Sequence, residues 1–456
     1  MRTASPLAIV GAGPAGLTAA IAARRLGLDV AVFERASSFR RVGGGLLFHS
    51  NGQRVLDALG ILEDARSRLL LCWEIGVELP NGRRLSTADY RTLDVPYNLA
   101  AVFLRADLQE YLLGAARDLG VDVRFGHDCL AVDLLDGGAR LRFEGGAEHL
   151  AAVVIGADGL GSAVRASLGL ASSPRAVGEA YLRGVAPVHL QSDAMREIWG
   201  PDGRRFGLAP LPNHQTYFFC SVPIGEWAVI RRERLRDWLD GWRGYGADVR
   251  RVLAAVPSWE DVNYDELREI VLDRWHRPPV FLVGDAAHAM TPNLGQGANS
   301  ALVDALVLVR LLAPLLRDTA VADAHAASAT PDLPAEPTTM TDAPAALTRA
   351  SQRPAGSPAP ESRPESTHSA RRLPDLAELD AVGREYERVR KPFVTRVQTT
   401  SRQIGWLASL RARPARLARD LLVTTLDCVP ALRRRALLLG AGYNLADESY
   451  FARLAP

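Results

Sequence analysis

The chain is almost without lysine: Lys391 is the sole one among 54 cationic residues, arginine supplying the rest. Against 52 acidic residues these leave a net charge of +2. That is no basic excess of the kind that neutralises a phosphate backbone, so nucleic acid is not an expected partner. Cysteine is as sparse. Cys72, Cys129, Cys220 and Cys428 lie far apart with no CxxC pair, which argues against a zinc cluster or a dithiol redox centre and suits a reducing cytoplasm; no metal site is expected. An uninterrupted apolar run of about 20 residues is missing, as is a leader-like start, so neither stable membrane insertion nor export is expected. From about 318 to 373 there is no aromatic residue and no isoleucine, while Ala, Pro, Ser, Thr and Glu predominate. Such a stretch buries too little surface to offset its ordering entropy and is expected to be a disordered insertion.

What is present begins with a glycine cluster. Leu7 to Val10 is a short apolar run ending in Gly11-Ala12-Gly13-Pro14-Ala15-Gly16, followed by the helical pattern LTAAIAARRLG and a second apolar run, Val30 to Phe33. Strand, tight turn, helix and strand fit within one βαβ unit. Gly11 permits the turn, Gly13 lets backbone approach a pyrophosphate, and Gly16 lets helix and strand pack closely. Glu34, closing the second strand, can accept from a ribose diol. A dinucleotide site is therefore expected around Gly11, Gly13, Ala15, Gly16 and Glu34.

Further along, Ile75, Val77 and Leu79 alternate before the turn Pro80-Asn81-Gly82, and Leu108 to Leu119 has helical spacing. Short strands then lead into Gly156-Ala157-Asp158-Gly159. The stretch from about 178 to 265 is again sheet-like, Tyr217 and Phe219 sharing one face. Val280 to Val283 predicts a buried strand, Ala298 to Leu316 a long apolar helix, Leu376 to Arg390 a further helix, and Leu417 to Val429 an amphipathic one.

Three motifs in order, GAGPAGL, GADGLGSAVR and VFLVGDAAHAMTPNLGQGAN, resemble those of the single-component flavoprotein monooxygenases, the family of para-hydroxybenzoate, salicylate and urate hydroxylases. The resemblance spans about 1 to 316 and resumes at YERVRKPFVTRVQ. It implies an α/β fold: a Rossmann-like FAD-binding domain of the para-hydroxybenzoate hydroxylase type, an interleaved sheet-rich substrate domain and C-terminal helices. The expected division is 1–72, 98–177 and 268–317 for the FAD domain, 73–97 and 178–267 for the substrate domain, 318–373 for the insertion and 374–456 for the helical end. FAD is the implied cofactor and NAD(P)H the co-substrate. Reduced FAD would take up O2 as a C4a-hydroperoxide and hydroxylate an aromatic or polycyclic molecule; a monomer or homodimer is expected. The arginine- and alanine-rich composition suits a high-GC bacterium, where such enzymes often serve secondary metabolism.

The same resemblance implies roles by residue. Glu34 would hold the adenosine ribose, with Arg35, Arg41 and Arg105 along the adenine and pyrophosphate half. Asp158 and Arg165 would support FAD and the incoming nicotinamide. Gly284 and Asp285 would meet the ribityl chain or pyrophosphate, while Pro292, Gly295, Gly297 and Asn299 would border the isoalloxazine ring at a helix N-terminus, whose partial positive charge suits an anionic reduced flavin. His288 is expected to be structural. Tyr181, Phe206, Tyr217 and Phe219 are candidate substrate walls, and His49 and Tyr217 the candidate catalytic side chains. The stretch RRFGLAPLPNHQTYFF offers no histidine where several phenol-hydroxylating relatives carry a base. A reductase of the same fold and a non-catalytic FAD-binding protein remain alternatives.

Overall fold

The computed structural model describes residues 5–41, 44–170, 173–192, 194–326 and 374–454. Ser5–Val10 lies inside an eight-stranded sheet, parallel to Val30–Glu34 on one side and to Glu148–Gly156 on the other. Asp122–Phe125 and Val280–Leu282 extend it in parallel at the two flanks. Because such strands are covered on both faces, they read as continuous apolar runs, and Leu7, Ala8, Ile9, Ala31 and Val32 are fully buried. The helix Pro14–Arg25 covers one face. Its Ala19, Ala20, Ala22 and Ala23 are small and wholly buried, which lets it lie close against the long helix Gly297–Ala326.

That long helix is rich in leucine, valine and alanine. Gly297–Arg317 has a mean hydropathy of 1.7, enough by length and composition to cross a membrane, but 78% of its most apolar window is buried in the protein. It is a core helix, interrupted by the buried polar residues Asn299, Ser300 and Asp304. It also runs on to Ala326, past residue 317 where the insertion was expected to begin, since the alanine-rich continuation keeps high helix propensity. The rest of that expected insertion, 327–373, lies outside the described residues.

A second, seven-stranded sheet runs in the order Val262–Glu269, Arg175–Ala186, Gln215–Val222, Arg205–Leu211, Met195–Trp199, Glu74–Glu78, Arg84–Asp89. Two stretches distant in sequence thus share one sheet, joined where Met195–Trp199 pairs in parallel with Glu74–Glu78. Strand parity divides its aromatics: Tyr217 and Phe219 pack toward Leu47 and Leu104, whereas Phe218 joins a separate core with Phe206 and Trp242. A three-stranded sheet of Gly45–Phe48, Ala100–Leu104 and Leu70–Cys72 lies between the two.

The helix Leu376–Ala408 starts at a capping box, Asp375 with Glu378, and continues well past Arg390, passing through Pro392. Gln398 Nε2 on it donates to the carbonyls of Ile270, His288 and Ala289, tying the helix to the late glycine-acid motif. Arg413–Cys428 and Pro430–Gly440 then cross the hairpin of the second sheet.

Candidate active site

The first glycine cluster forms a tight turn with space on one side only. A Cβ at Gly11, where φ is 104°, would lie 2.4 Å from the Ala157 carbonyl oxygen, and one at Gly16 would lie 1.9 Å from that of Gly11. A Cβ at Gly13 would meet nothing within 4 Å. The turn is packed behind and open in front, at a helix N-terminus with no side-chain cap, which is the geometry a pyrophosphate requires. Glu34 holds the turn through both carboxylate oxygens, accepting from Ala12 N at 2.8 Å and Ala36 N at 3.0 Å; each oxygen keeps a lone pair for a ribose hydroxyl. Gln109, which the sequence did not single out, donates to the Ala12 carbonyl at 2.9 Å. Gln109 lies on the helix Arg105–Asp118, whose first residue, Arg105, lines the cavity.

Arg35 is exposed, and neither it nor Arg41 lines the cavity. Arg41 pairs with Asp107 and Glu110 on the helix Arg105–Asp118. Arg165 does not pair with Asp158. Its guanidinium donates to the carbonyls of Ala286 at 2.9 Å and Leu160 at 2.7 Å, bracing the middle motif against the late one. Asp158 accepts from Val164 N at 3.1 Å, but its Oδ1 is buried without a partner, and burial holds its carboxyl above the usual range. Its sequence neighbours Ala157 and Gly159 both line the cavity.

In the late motif the structure separates the two residues whose roles were in question. Asp285 faces the cavity, exposed, with no hydrogen bond or ion pair to a described residue. His288 points away: Nε2 lies 2.5 Å from Asp304 Oδ2, and its ring packs 4.8 Å from that of Trp275. Asp304 also accepts from Arg390 Nε at 2.8 Å, and Arg390 in turn pairs with Asp447. Gly295 takes the left-handed conformation, φ 62°, and Pro292, Gly295 and Gly297 line the cavity where the long helix begins. Asn299 does not reach it. Its side chain is occupied by backbone, accepting from His49 N at 3.0 Å and donating to the carbonyls of Leu47 at 2.9 Å and Gly295 at 2.8 Å. Asn299 is thus a clamp between the strand Gly45–Phe48 and the loop.

His49 and Tyr217 come to the same wall. A Cβ at Gly295 would lie 3.0 Å from His49 Nε2, so histidine and loop are in contact. Burial pushes the imidazole down to about 4, offset only in part by the Leu294 carbonyl, and neither ring nitrogen makes a well-formed hydrogen bond. His49 is therefore neutral at physiological pH and a weak base. The Tyr217 ring lies against Gly44 and Gly45, where any Cβ would come within 2.5 Å of it, and its hydroxyl is 3.5 Å from Arg183 Nη1. Tyr181 and Phe219 share this wall; Phe206, a candidate by sequence, belongs to the core behind the sheet.

A buried polar network was not anticipated from the sequence. Arg205, 1% exposed, donates to Glu179 at 2.7 Å, Glu197 at 3.2 Å and Asn293 Oδ1 at 2.8 Å, and also contacts the Tyr181 hydroxyl. Asn293 sits in the loop beside the long helix, so the network joins that loop to the second sheet. Burial, opposed by the Trp199 indole donor and reinforced by Glu179, pushes Glu197 up to about 7. Strand parity held the signal: Glu197 and Trp199 alternate on one face, and Trp199 is directly opposite Arg205 in the ladder.

These surfaces enclose one cavity of about 1860 Å3, running from Gly13 past Asp285 and Gly295 to Tyr217 and Phe219. It is larger than the few hundred to about 1000 Å3 typical of a single small-ligand pocket, and suits a dinucleotide with a second molecule beside it. The open face of Gly13, the free Asp285 carboxylate and the orphaned Asp158 oxygen fit the phosphates and hydroxyls of a flavin dinucleotide. Such a groove leading into an aromatic-walled chamber defines a flavoprotein oxidoreductase.

Residues 4–335 match a family model described as an FAD binding domain. The aurachin C monooxygenase/isomerase of Stigmatella aurantiaca is 32% identical over 321 residues, 68% of this chain and 82% of that protein. A 2-heptyl-3-hydroxy-4(1H)-quinolone synthase of Pseudomonas aeruginosa is 33% identical over 67% of this chain and 81% of its own. Among solved structures, Klebsiella pneumoniae HpxO complexed with FAD and uric acid superposes with a TM-score of 0.72 at 22% identity, covering 95% of this chain and 97% of that one. The chain belongs to the FAD-dependent aromatic monooxygenases, and FAD is its cofactor.

Proposed function

We propose that the protein uses NAD(P)H and O2 to hydroxylate an aromatic or polycyclic small molecule. The observation that carries this reading is the single cavity in which the pyrophosphate turn, the loop from Pro292 to Gly297 and the wall of Tyr181, Tyr217 and Phe219 are continuous. FAD bound there supplies the electron store and the means of activating dioxygen.

The chain's own residues bind, orient and exclude water. Gly13, Ala15 and Arg105 would hold the pyrophosphate, Glu34 and Asp285 the hydroxyls. The start of the long helix would place its partial positive charge by the flavin ring. The aromatic wall offers flat surfaces for ring stacking. His49, kept neutral by burial, would steady a substrate oxygen by a hydrogen bond rather than remove its proton, and the Tyr217 hydroxyl beside Arg183 provides a second polar contact. The quinolone synthase bears the name of a ring compound, which supports the substrate class.

Purified protein should be yellow, and a matching ring compound should accelerate NAD(P)H oxidation with a product heavier by one oxygen. A protein that takes up no FAD, or oxidation yielding only a reduced product, would overturn the reading.

A further inference from the structure

The helix Arg413–Cys428 is built inside out. Three of its charged residues face the protein: Arg419 and Asp420 are buried against each other, Asp420 accepts from Arg83 at 2.9 Å, and Asp427 accepts from Ser86 Oγ at 3.1 Å. The Arg419 guanidinium also sits 5.2 Å from the centre of the Trp199 ring. The apolar residues face out. Leu417, Leu421, Leu422 and Leu426 are all exposed, Leu421 at 70%, and Val429 and Leu432 carry the exposed surface on into the next helix. Trp406, 63% exposed, stands at the end of the preceding helix. Soluble helices point such a stripe at the core, so a contiguous outward one marks an interaction surface.

Charge indicates the occupant. Between 411 and 440 there are seven arginines and two aspartates, and both aspartates are turned inward and engaged. Arg413, Arg434 and Arg435 are exposed and make no ion pair with a described residue. Outward leucines beside unpaired arginines match an anionic lipid surface, where apolar side chains enter the acyl boundary and arginines meet headgroups. Two other occupants fit less well. A second copy docking by two-fold symmetry would bring arginine against arginine. The chain's own 327–373 segment has only Leu333, Met340, Leu347 and Leu373 as large apolar residues to cover the stripe.

We propose that the face formed by Arg413–Cys428 and Pro430–Gly440 docks reversibly on anionic membranes. The docking leaves the core helix Gly297–Ala326 buried and inserts no segment across the bilayer. Val423, Leu426, Leu432, Arg433, Arg434 and Arg435 of the same two helices line the cavity, so docking sets one wall of the site at the lipid boundary. An apolar ring substrate could then pass from lipid to site with little exposure to water. That consequence rests on the hydroxylase reading; the docking does not.

The test is co-flotation of the purified flavoprotein with vesicles of phosphatidylcholine alone or with roughly one-third phosphatidylglycerol. Flotation should require the anionic lipid and fade with added salt. Leu417→Gln/Leu421→Gln should reduce binding more than tenfold and Arg413→Gln by about fivefold, with FAD content unchanged in both. No flotation, equal flotation on the neutral vesicles, or binding insensitive to these substitutions overturns the proposal. So does a concentration-dependent dimer abolished by the leucine substitutions in place of vesicle binding. Loss of FAD without loss of flotation would count against the functional reading alone.

Discussion

Replacing Gly13 with alanine should separate ligand binding from folding. Gly13 has φ −74° and ψ 177°, a conformation open to any L-residue, and an added methyl meets no protein atom within 4 Å. The apoprotein should therefore fold normally, with stability unchanged or raised by up to about 1 kcal/mol, since alanine narrows the unfolded ensemble. FAD binding should suffer. The methyl would occupy the space through which the pyrophosphate approaches the helix N-terminus, lengthening amide-to-phosphate bonds that are each worth about 1.5–3 kcal/mol. Loss of one such bond corresponds to about a 10- to 150-fold weaker Kd. Calorimetric titration of apoprotein with FAD, alongside thermal melting without it, measures both quantities. Gly16→Ala is the contrasting control, because its methyl would lie 1.9 Å from the Gly11 carbonyl oxygen and must disturb the fold itself. Undiminished FAD affinity in Gly13→Ala, or melting as depressed as in Gly16→Ala, would refute the assignment of that open face to the pyrophosphate.

Asp285→Ala removes a carboxylate that faces the cavity without a protein partner, so FAD affinity should drop at least tenfold in the same titration while apoprotein melting stays unchanged. His288→Ala should do the reverse: the loss of its buried contact with Asp304 lowers stability by about 2 kcal/mol, yet FAD content and turnover persist at the growth temperature. The pH dependence of unfolding should expose Glu197 and His49 together. Glu197, raised to about 7, makes the folded state hold a proton more tightly than the unfolded chain, so its contribution falls as pH rises from about 4.5 to 7. His49, lowered to about 4, contributes in the opposite sense, its share being lost as pH falls from about 6.5 to 4. The two oppose each other in the wild type. In Glu197→Gln only the His49 contribution is left, and denaturant titrations should show stability rising with pH across that window by on the order of 3 kcal/mol; a profile parallel to the wild type would sink this account.

Much of the cofactor half was legible because its constraints are local. The turn at Gly11 to Gly16 and the strand after it are specified by neighbours in sequence, and backbone clearance allows little but glycine at Gly11 and Gly16. The separation of Asp285 from His288 followed the same logic, one residue at the cavity and one in the core. What escaped the sequence depends on distant partners. Asn299 looked like a ring contact until its side chain proved to be spent on Leu47, His49 and Gly295, some 250 residues away for the first two. Arg165 is spent on the carbonyls of Ala286 and Leu160, and Arg41 on the carboxylates of a helix that sequence spacing does not bring near. The Arg205 network joins four segments, and strand parity marks only the part that Glu197, Trp199 and Arg205 form across one ladder. The amphipathic spacing of Leu417 to Val429 was visible, but which way it faced was not, since periodicity gives a face and not its environment.

Asp304 carries a consequence for the order in which this molecule is completed. It accepts from Gly284 N and Arg390 and touches His288, and Arg390 needs Asp447 to balance its buried charge. The loop that meets the flavin is thus anchored, through two ionic contacts, to a residue made long after it on the ribosome. Until Asp447 has emerged and docked, a guanidinium in the interior would lack half of its compensation. Cofactor loading should follow synthesis of the last helices, and a nascent chain halted before residue 447 should take up FAD poorly even though every residue that lines its groove from Gly13 to Gly297 has already been translated.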